Sequence, residues 1–299
     1  MAHDHGHGHH HHANETRTLW AAGLTGAFMI AEVIGGILTG SLALLADAAH
    51  MFTDFAALGL AWAAFRISRR PADPKRTYGF DRLQVLVAFA NGVTLAVLTA
   101  WIVAEALGRL AAPEPILAGP MAVVAALGLV VNIAAFAILH GADRDNLNIR
   151  GAAAHVMGDL LGSVAALAAA GVILQTGFTP IDSILSLGIA ALIAISAARL
   201  IRDSGRILLE AAPEEVDPRA IRADLLEAIP GLDDVHHIHV WSITQERPMA
   251  TLHARMHDPA EAPGIVSAIR ERLHDAHGLS HVTVETEIVE PGEAAETAS

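Results

Sequence analysis

Two short stretches of this 299-residue chain share one arrangement of ligand-type side chains: HMFTD at residues 50–54 and HVMGD at residues 155–159. In each, an imidazole precedes a carboxylate by four positions, and both stretches interrupt long apolar runs. On an α-helix, positions i and i+4 share a face about 6 Å apart, so each pair presents one nitrogen and one oxygen to one point. A charge at bilayer depth costs at least ~2.5–3.5 kcal/mol on insertion scales, so such groups face a partner or a cavity. Two facing helices then supply two nitrogens and two oxygens, a set that suits tetrahedral Zn²⁺. His50, Asp54, His155 and Asp159 are therefore the candidate ligands of an intramembrane metal site. Co²⁺ and Cd²⁺ fit the same donors, whereas Mg²⁺ and Ca²⁺ prefer all-oxygen sets. The chain has no cysteine, so disulfides and thiolate sites are excluded and only His, Asp and Glu can hold a metal.

The distribution of the 18 histidines sharpens this reading: seven lie in residues 3–12, eight after residue 235, and only His50, His140 and His155 between. Two of those three head the His-x-x-x-Asp pattern. Asp47, one turn before His50, lines the entry path or makes a structural hydrogen bond. Glu32 and Glu105, in the first and third apolar runs, line a cavity or are satisfied by neighbouring helices. Asn132 and His140 read as structural or interfacial.

Six apolar runs are long enough to cross a bilayer, where about 20 residues are needed. They fall near 18–39, 41–66, 83–109, 119–140, 149–174 and 181–203. The mean hydropathy of +0.43 is too high for an ordinary soluble protein. Lys and Arg concentrate in alternate loops: Arg66, Arg69, Arg70, Lys75, Arg76 and Arg82, then Arg144 and Arg150, then Arg199, Arg202 and Arg206. By the excess of basic residues on cytoplasmic loops, both termini are expected in the cytoplasm. A cleavable signal peptide is not expected. Arginine outnumbers lysine 18 to 1, which suits a GC-rich bacterial genome and a plasma (inner) membrane.

From Glu210 onward the chain turns polar, with 18 acidic against 6 basic residues, so nearly all of the net charge of −13 sits there. That balance excludes a nucleic-acid partner. Residues 217–229 have the pattern of an amphipathic helix, 235–243 and 249–256 alternate like strands, 261–277 fits a helix and 281–289 a third strand. The expected organisation is a His-rich tail (1–16), a six-helix transmembrane domain (17–208), a small α+β domain of ferredoxin-like type (209–290) and a disordered tail (291–299). The N-terminal HDHGHGHHHH is a loose metal collector or an affinity tag, and the interspersed Asp4, Gly6 and Gly8 argue against the tag.

SLALLADAAHMFTD at 41–54, YGFDR at 78–82, NLNIRGAAAHVMGDLLGS at 146–163 and HHIHVWSIT at 236–244 resemble the cation diffusion facilitator family of zinc transporters. The likeness runs from about Arg17 to Glu290. It implies six transmembrane helices, a cytoplasmic ferredoxin-like domain, a homodimer, and metal export in exchange for protons through His50, Asp54, His155 and Asp159. It also implies cytoplasmic, regulatory Zn²⁺ ligands at His236, His253, His281 and Glu287, with His237, His239 and Glu285 as substitutes. Strict strand alternation puts His237 and His239 on one face and His236 on the other, so all three cannot share one ion. The loop between the second and third spans lacks the histidines some relatives carry, leaving Asp73 and Asp81 as its only acidic groups.

Protonating His50 or His155 removes a lone pair that the metal needs, which links metal release to a proton gradient. The expected activity is Zn²⁺/H⁺ antiport by alternating access, with no organic cofactor and no enzymatic reaction. Two rival readings are an intramembrane zinc hydrolase and a membrane-anchored metal sensor. A catalytic zinc keeps an open position, which four ligands on two helices do not leave, and HExxH is absent. A sensor leaves the costly intramembrane pairs without a purpose.

Overall fold

The computed structural model describes the backbone of residues 8–68, 71, 73–140 and 147–288. The start of the expected His-rich tail, residues 1–7, and the expected disordered tail, 291–299, lie outside the described residues. Six long helices come first: α1 (Gly8–Thr39), α2 (Leu42–Ser68), α3 (Arg82–Ala111), α4 (Ala118–His140), α5 (Leu147–Thr176) and α6 (Pro180–Leu208). They coincide with the six expected spans, except that α1 begins earlier, inside the His-rich segment. Arg82–Ala111, Ala118–Ile138, Gly158–Thr176 and Pro180–Leu208 are each long and apolar enough to cross a membrane. The described apolar stretches of the first two helices, Gly23–Thr39 and Leu42–Thr53, are shorter. These helices are apolar all round: Ile37, Trp101, Val123, Val130, Leu174 and Leu192 are exposed although large and hydrophobic. Such faces suit lipid, and the helix satisfies its own backbone there.

By internal packing the chain divides into two compact units, Met1–Leu60 with Asn91–Arg199, and Ala61–Ala90 with Leu200–Ser299. Within the first, small residues let helices approach closely. A Cβ added at Gly35 would lie 2.8 Å from Val124, one at Gly36 2.8 Å from Leu45, and one at Gly128 2.6 Å from Phe28. Helix α2 is shared by two apolar clusters. Leu44 packs with Met121 and Ala125 of α4 and Ala166, Ala169 and Ala170 of α5. Leu42 and Ala46 pack with Ile102 and Ala106 of α3 and Ala190 of α6.

The start of α2 is fixed from α6. The buried Asp182 carboxylate accepts from Ser41 Oγ at 2.6 Å and from the Leu42 N–H at 2.7 Å. Free N–H groups at a helix start favour such an acceptor. Glu105 is also accounted for: it pairs with Arg109 one turn on, at 2.9 Å, and Arg109 also donates to the Gly40 carbonyl.

The second unit contains the α+β fold. Its elements are α7 (Pro218–Ala228), β1 (Asp234–Ser242), β2 (Pro248–Met256), α8 (Ala262–His277) and β3 (His281–Ile288). Asp217 caps α7 by accepting from the Arg219 N–H, with Pro218 at the first helical position. Gly278, at φ 67°, ends α8 in the left-handed conformation. The sheet order is β1-β2-β3, with β1/β2 antiparallel and β2/β3 parallel. Ile221 and Leu225 of α7 and Ile265, Ile269 and Leu273 of α8 bury one sheet face through Val235, Val240, Leu252 and Ala254. The two helices are clamped by Asp224, which accepts from Arg272 at 2.6 and 3.0 Å and pairs with His277 at 3.1 Å. Arg272, then His277, hold the Asp224 carboxyl down at about 2.

Two outcomes follow. Asp182→Ala leaves buried donors unserved and is expected to destabilise the chain by about 2–4 kcal/mol, with Asp182→Asn retaining part of the loss, read as melting temperature in detergent. Asp224 has a folded-state value below its ordinary 3.8, so its contribution is present above that value and is lost as pH falls towards about 2. The gap in melting temperature between the parent and Asp224→Asn should therefore be wide at neutral pH and shrink in acid.

Candidate metal centres

The first centre lies where α2 passes α5. Gly162 of α5 is pressed against Asp47 of α2: a Cβ there would stand 2.9 Å from Asp47 Oδ1. The two helices run antiparallel through the shared Leu44 cluster, so one turn further from the Thr39–Leu42 turn His50 comes level with Asp159. Asp159 is buried and His50 half-buried. The side chains of Asp54 and His155 lie outside the described residues, but their backbones are helical. Asp54 thus follows His50 by one turn on the same face, and His155 precedes Asp159 likewise. The side chain of His140 also lies outside the described residues.

Further polar groups surround this level. Glu32 of α1 and Asn132 of α4 are completely buried, and Asp47 nearly so. Asn132 donates to Ser163 Oγ of α5 at 3.1 Å, tying α4 to α5 one turn from Asp159, in keeping with the structural role expected of it. Asp47, at 5% exposure, sits nearer the Thr39–Leu42 turn than His50 does and lines no open path in this conformation.

The loop between α2 and α3 offers no free carboxylate for a metal. Asp73 closes its own turn, accepting from the N–H groups of Lys75 and Arg76, each at 2.8 Å. Asp81 accepts from Arg247 at 2.7 Å.

The second centre lies on the sheet face away from α7 and α8. His236 and His253 are direct cross-strand partners. The β1/β2 register then breaks between His236 and His239, where His237 adopts φ 46°. A non-glycine residue in that region costs about 1–3 kcal/mol, which the surrounding structure must offset. This bulge inserts one residue and defeats strict alternation. In consequence His236 and His237 both reach His253, and their nitrogens all lie within 4.8 Å of one another. The expectation that these neighbours must face opposite ways is corrected for His236 and His237; His239 stays apart, opposite Thr251.

Two carboxylates complete the cluster from β3. Glu287 Oε1 lies 2.8 Å from His253 Nδ1 and 3.3 Å from His236 Nε2, and Glu285 Oε2 lies 3.4 Å from His253 Nε2. The hydrogen bond from His253, joined by His236 and the Arg255 guanidinium, holds the Glu287 carboxyl below the usual carboxylate range. His281 is not part of the cluster. The parallel register places it beside Met249, four residues from the His253–Glu285 pair, or about 13 Å along the strand. Three imidazoles and a ready carboxylate suit Zn²⁺, and the buried Nδ1 of His236 has no hydrogen-bond partner among the described residues.

These features define a class: a helical membrane protein that handles cations, continued by a separate metal-binding type of domain. Residues 18–209 match the cation efflux transmembrane domain and residues 213–289 the cation efflux protein cytoplasmic domain, and the chain belongs to the cation efflux family. It is 45% identical over 288 residues to the zinc transporter ZitB of Pectobacterium atrosepticum, covering 96% of this chain and 89% of that protein. It is 38% identical to the metal cation efflux system protein CzcD of Cupriavidus metallidurans, covering 99% and 92%. It is 36% identical to a cadmium, cobalt and zinc/H⁺–K⁺ antiporter of Bacillus subtilis, covering 96% and 92%. The protein is thus an integral membrane transporter and not an enzyme, and its cytoplasmic domain, of the dimerising type, makes it a homodimer.

The bulge generates a discriminating outcome. With the intramembrane ligands removed by Asp54→Asn and Asp159→Asn, His237→Ala should weaken Zn²⁺ binding by about 10–100-fold. His281→Ala should leave it unchanged; titration calorimetry of the full chain distinguishes the two.

Proposed function

We propose that the protein exports Zn²⁺ from the cytoplasm across a bacterial inner membrane in exchange for protons, with Cd²⁺ and Co²⁺ as further cargo. The observation that carries this reading is the pair of His-x-x-x-Asp motifs on α2 and α5, two helices held at contact by Asp47 and Gly162. His50, Asp54, His155 and Asp159 supply the cargo's four ligands. Both termini lie on the cytoplasmic side, in keeping with the basic loops after α2, α4 and α6. The names of the relatives support the cargo and the exchange: zinc transport in one, and cadmium, cobalt and zinc against protons and potassium in another.

The ligands themselves make exchange workable. A neutral imidazole binds the metal and a protonated one does not, so acid on the far side favours release and the cytoplasmic pH favours loading. Rocking of the helices exposes the four-ligand point to one side and then the other. Asp47, displaced by one turn towards the Thr39–Leu42 turn, then lies on the path by which cargo leaves.

The cluster of His236, His237 and His253 with Glu285 and Glu287 serves regulation rather than transport. Zn²⁺ held there would be bound by imidazole nitrogens and the Glu287 carboxylate, supplying a cross-link on the open sheet face. Occupancy follows cytoplasmic metal and biases the paired domains towards one packing.

Sealed proteoliposomes with an imposed pH gradient test the transport reading. Gradient-dependent Zn²⁺ flux is expected in the parent and should fall to the leak of protein-free vesicles in Asp54→Asn with Asp159→Asn. Full flux in that double variant would overturn the assignment of the site. For regulation, His237→Ala with His253→Ala should shift the metal concentration at which transport activates, and an unchanged dependence would remove the regulatory role.

A further inference from the structure

Glu32 is not one of the four candidate cargo ligands, yet with Asp182 it is one of two completely buried acids among the described residues of the helical unit. It is completely inaccessible, and neither carboxyl oxygen accepts from a donor among the described residues. Asp47 is nearly as buried, its Oδ2 equally unserved, and α1 meets α2 one turn away, where a Cβ at Gly36 would lie 2.8 Å from Leu45. The two carboxyl groups lie within reach of each other, and both lie within electrostatic reach of Asp159. Two carboxyl groups can hydrogen-bond each other only through a proton, because ionised carboxylates are acceptors alone.

No Lys or Arg of the neighbouring helix stretches can neutralise the pair. The stretches 23–39, 42–53, 118–138 and 158–176 contain no Lys or Arg. Their titratable groups are Glu32 on α1, Asp47 and His50 on α2, and Asp159 on α5, with none on α4. Like charges this close in a water-poor interior cannot both stay ionised. Gly162 lets α5 close on Asp47 without a side chain between them, so Asp47 lies one turn from the level of the cargo site.

We propose that Glu32 carries the proton exchanged for the metal, shared with Asp47, at a site distinct from the cargo's ligands. This rests on the antiport reading above. Without cargo, one carboxyl holds the O–H and the other accepts from it. When a divalent cation arrives one turn away, its charge stabilises both carboxylates, the O–H bond breaks and the proton departs to water. When the cation leaves, its charge no longer stabilises the two carboxylates and a proton returns to the pair. Cargo and proton thereby exclude each other through charge, beyond competition for the histidine lone pairs.

The test counts protons. Purified full-length protein in weakly buffered detergent is titrated with Zn²⁺ beside a pH-indicator dye, every variant carrying His237→Ala and His253→Ala to silence the cytoplasmic cluster. Glu32→Gln should release about one proton fewer per Zn²⁺ than its parent, and because its neutral side chain gains no charge when the cation binds, its Zn²⁺ affinity should fall by about tenfold. Asp47→Asn, which removes the partner, should show the same deficit, and Glu32→Asp should restore the count. The same number of protons from parent and Glu32→Gln overturns the proposal, as does no proton release in the parent. If Glu32→Gln fails to fold, Asp47→Asn decides alone. Proteoliposome flux separates the two readings: gradient-driven transport by the parent with an unaltered proton count in the variants rejects this site and leaves the antiport reading standing. No flux in the parent rejects the antiport itself.

Discussion

A carboxylate buried among apolar helices must find a counter-charge or a set of donors, and the helical unit is organised around where each one finds it. Asp182 is served by a hydroxyl and the free N–H groups at the start of α2, and so becomes a fastener between α6 and α2. Glu105 is served by Arg109, which in turn holds the Gly40 carbonyl at the α1–α2 turn. Both are structural because the protein itself satisfies them. Glu32 and Asp47 are different: neither Glu32 oxygen accepts from a donor among the described residues, and the helix stretches around it carry no Lys or Arg. Unpaired burial of this kind is too costly to persist without a mobile cation, and a transporter's own cargo and protons are the mobile cations at hand.

The two candidate metal centres rest on different backbone geometries, and this explains how differently they could be foreseen. A helix repeats every 3.6 residues, so four-residue spacing declares a shared face directly. The spacing of the motifs at 50–54 and 155–159 stands out for that reason, and the six long helices and the helix–strand–strand–helix–strand order were legible as well. A strand encodes faces by alternation alone, and a single inserted residue reverses everything beyond it. At His237 that insertion uses a histidine with positive φ, where Gly or Asn would have announced it. The cluster of His236, His237 and His253 was accordingly hidden. His281 misled for a related cause, since its distance from His253 is set by the parallel register of β2 and β3, which no local pattern specifies.

Other misses divide between signals present and signals absent. Glu105 and Arg109 are an i,i+4 pair of opposite charge, and their spacing alone announced the salt bridge. The bond between Asp81 and Arg247 joins residues far apart in the chain and could only emerge from the fold. Glu32 belongs with the second kind. Its helix is apolar on every side, so no periodicity tells which face meets α2 and α5; the contacts at Gly35, Gly36 and Gly128 decide it.

The glycines bear on mechanism as well as packing. At 162 a side chain would collide with Asp47, so the bare backbone of α5 is what allows a carboxylate of α2 to lie beside the level of Asp159. Close-packed interiors respond to small shifts by switching between packings rather than by deforming. A change of charge at Glu32 and Asp47 therefore acts on the contact between α1, α2 and α5, the same helices whose relative position sets the spacing of the His-x-x-x-Asp pairs. Loss of cargo leaves acids facing acids across that contact, and gain of a proton or a cation relieves it. A single electrostatic balance thus ties occupancy of the site to the packing of the helices that carry it, which is what alternating access requires of an exchanger.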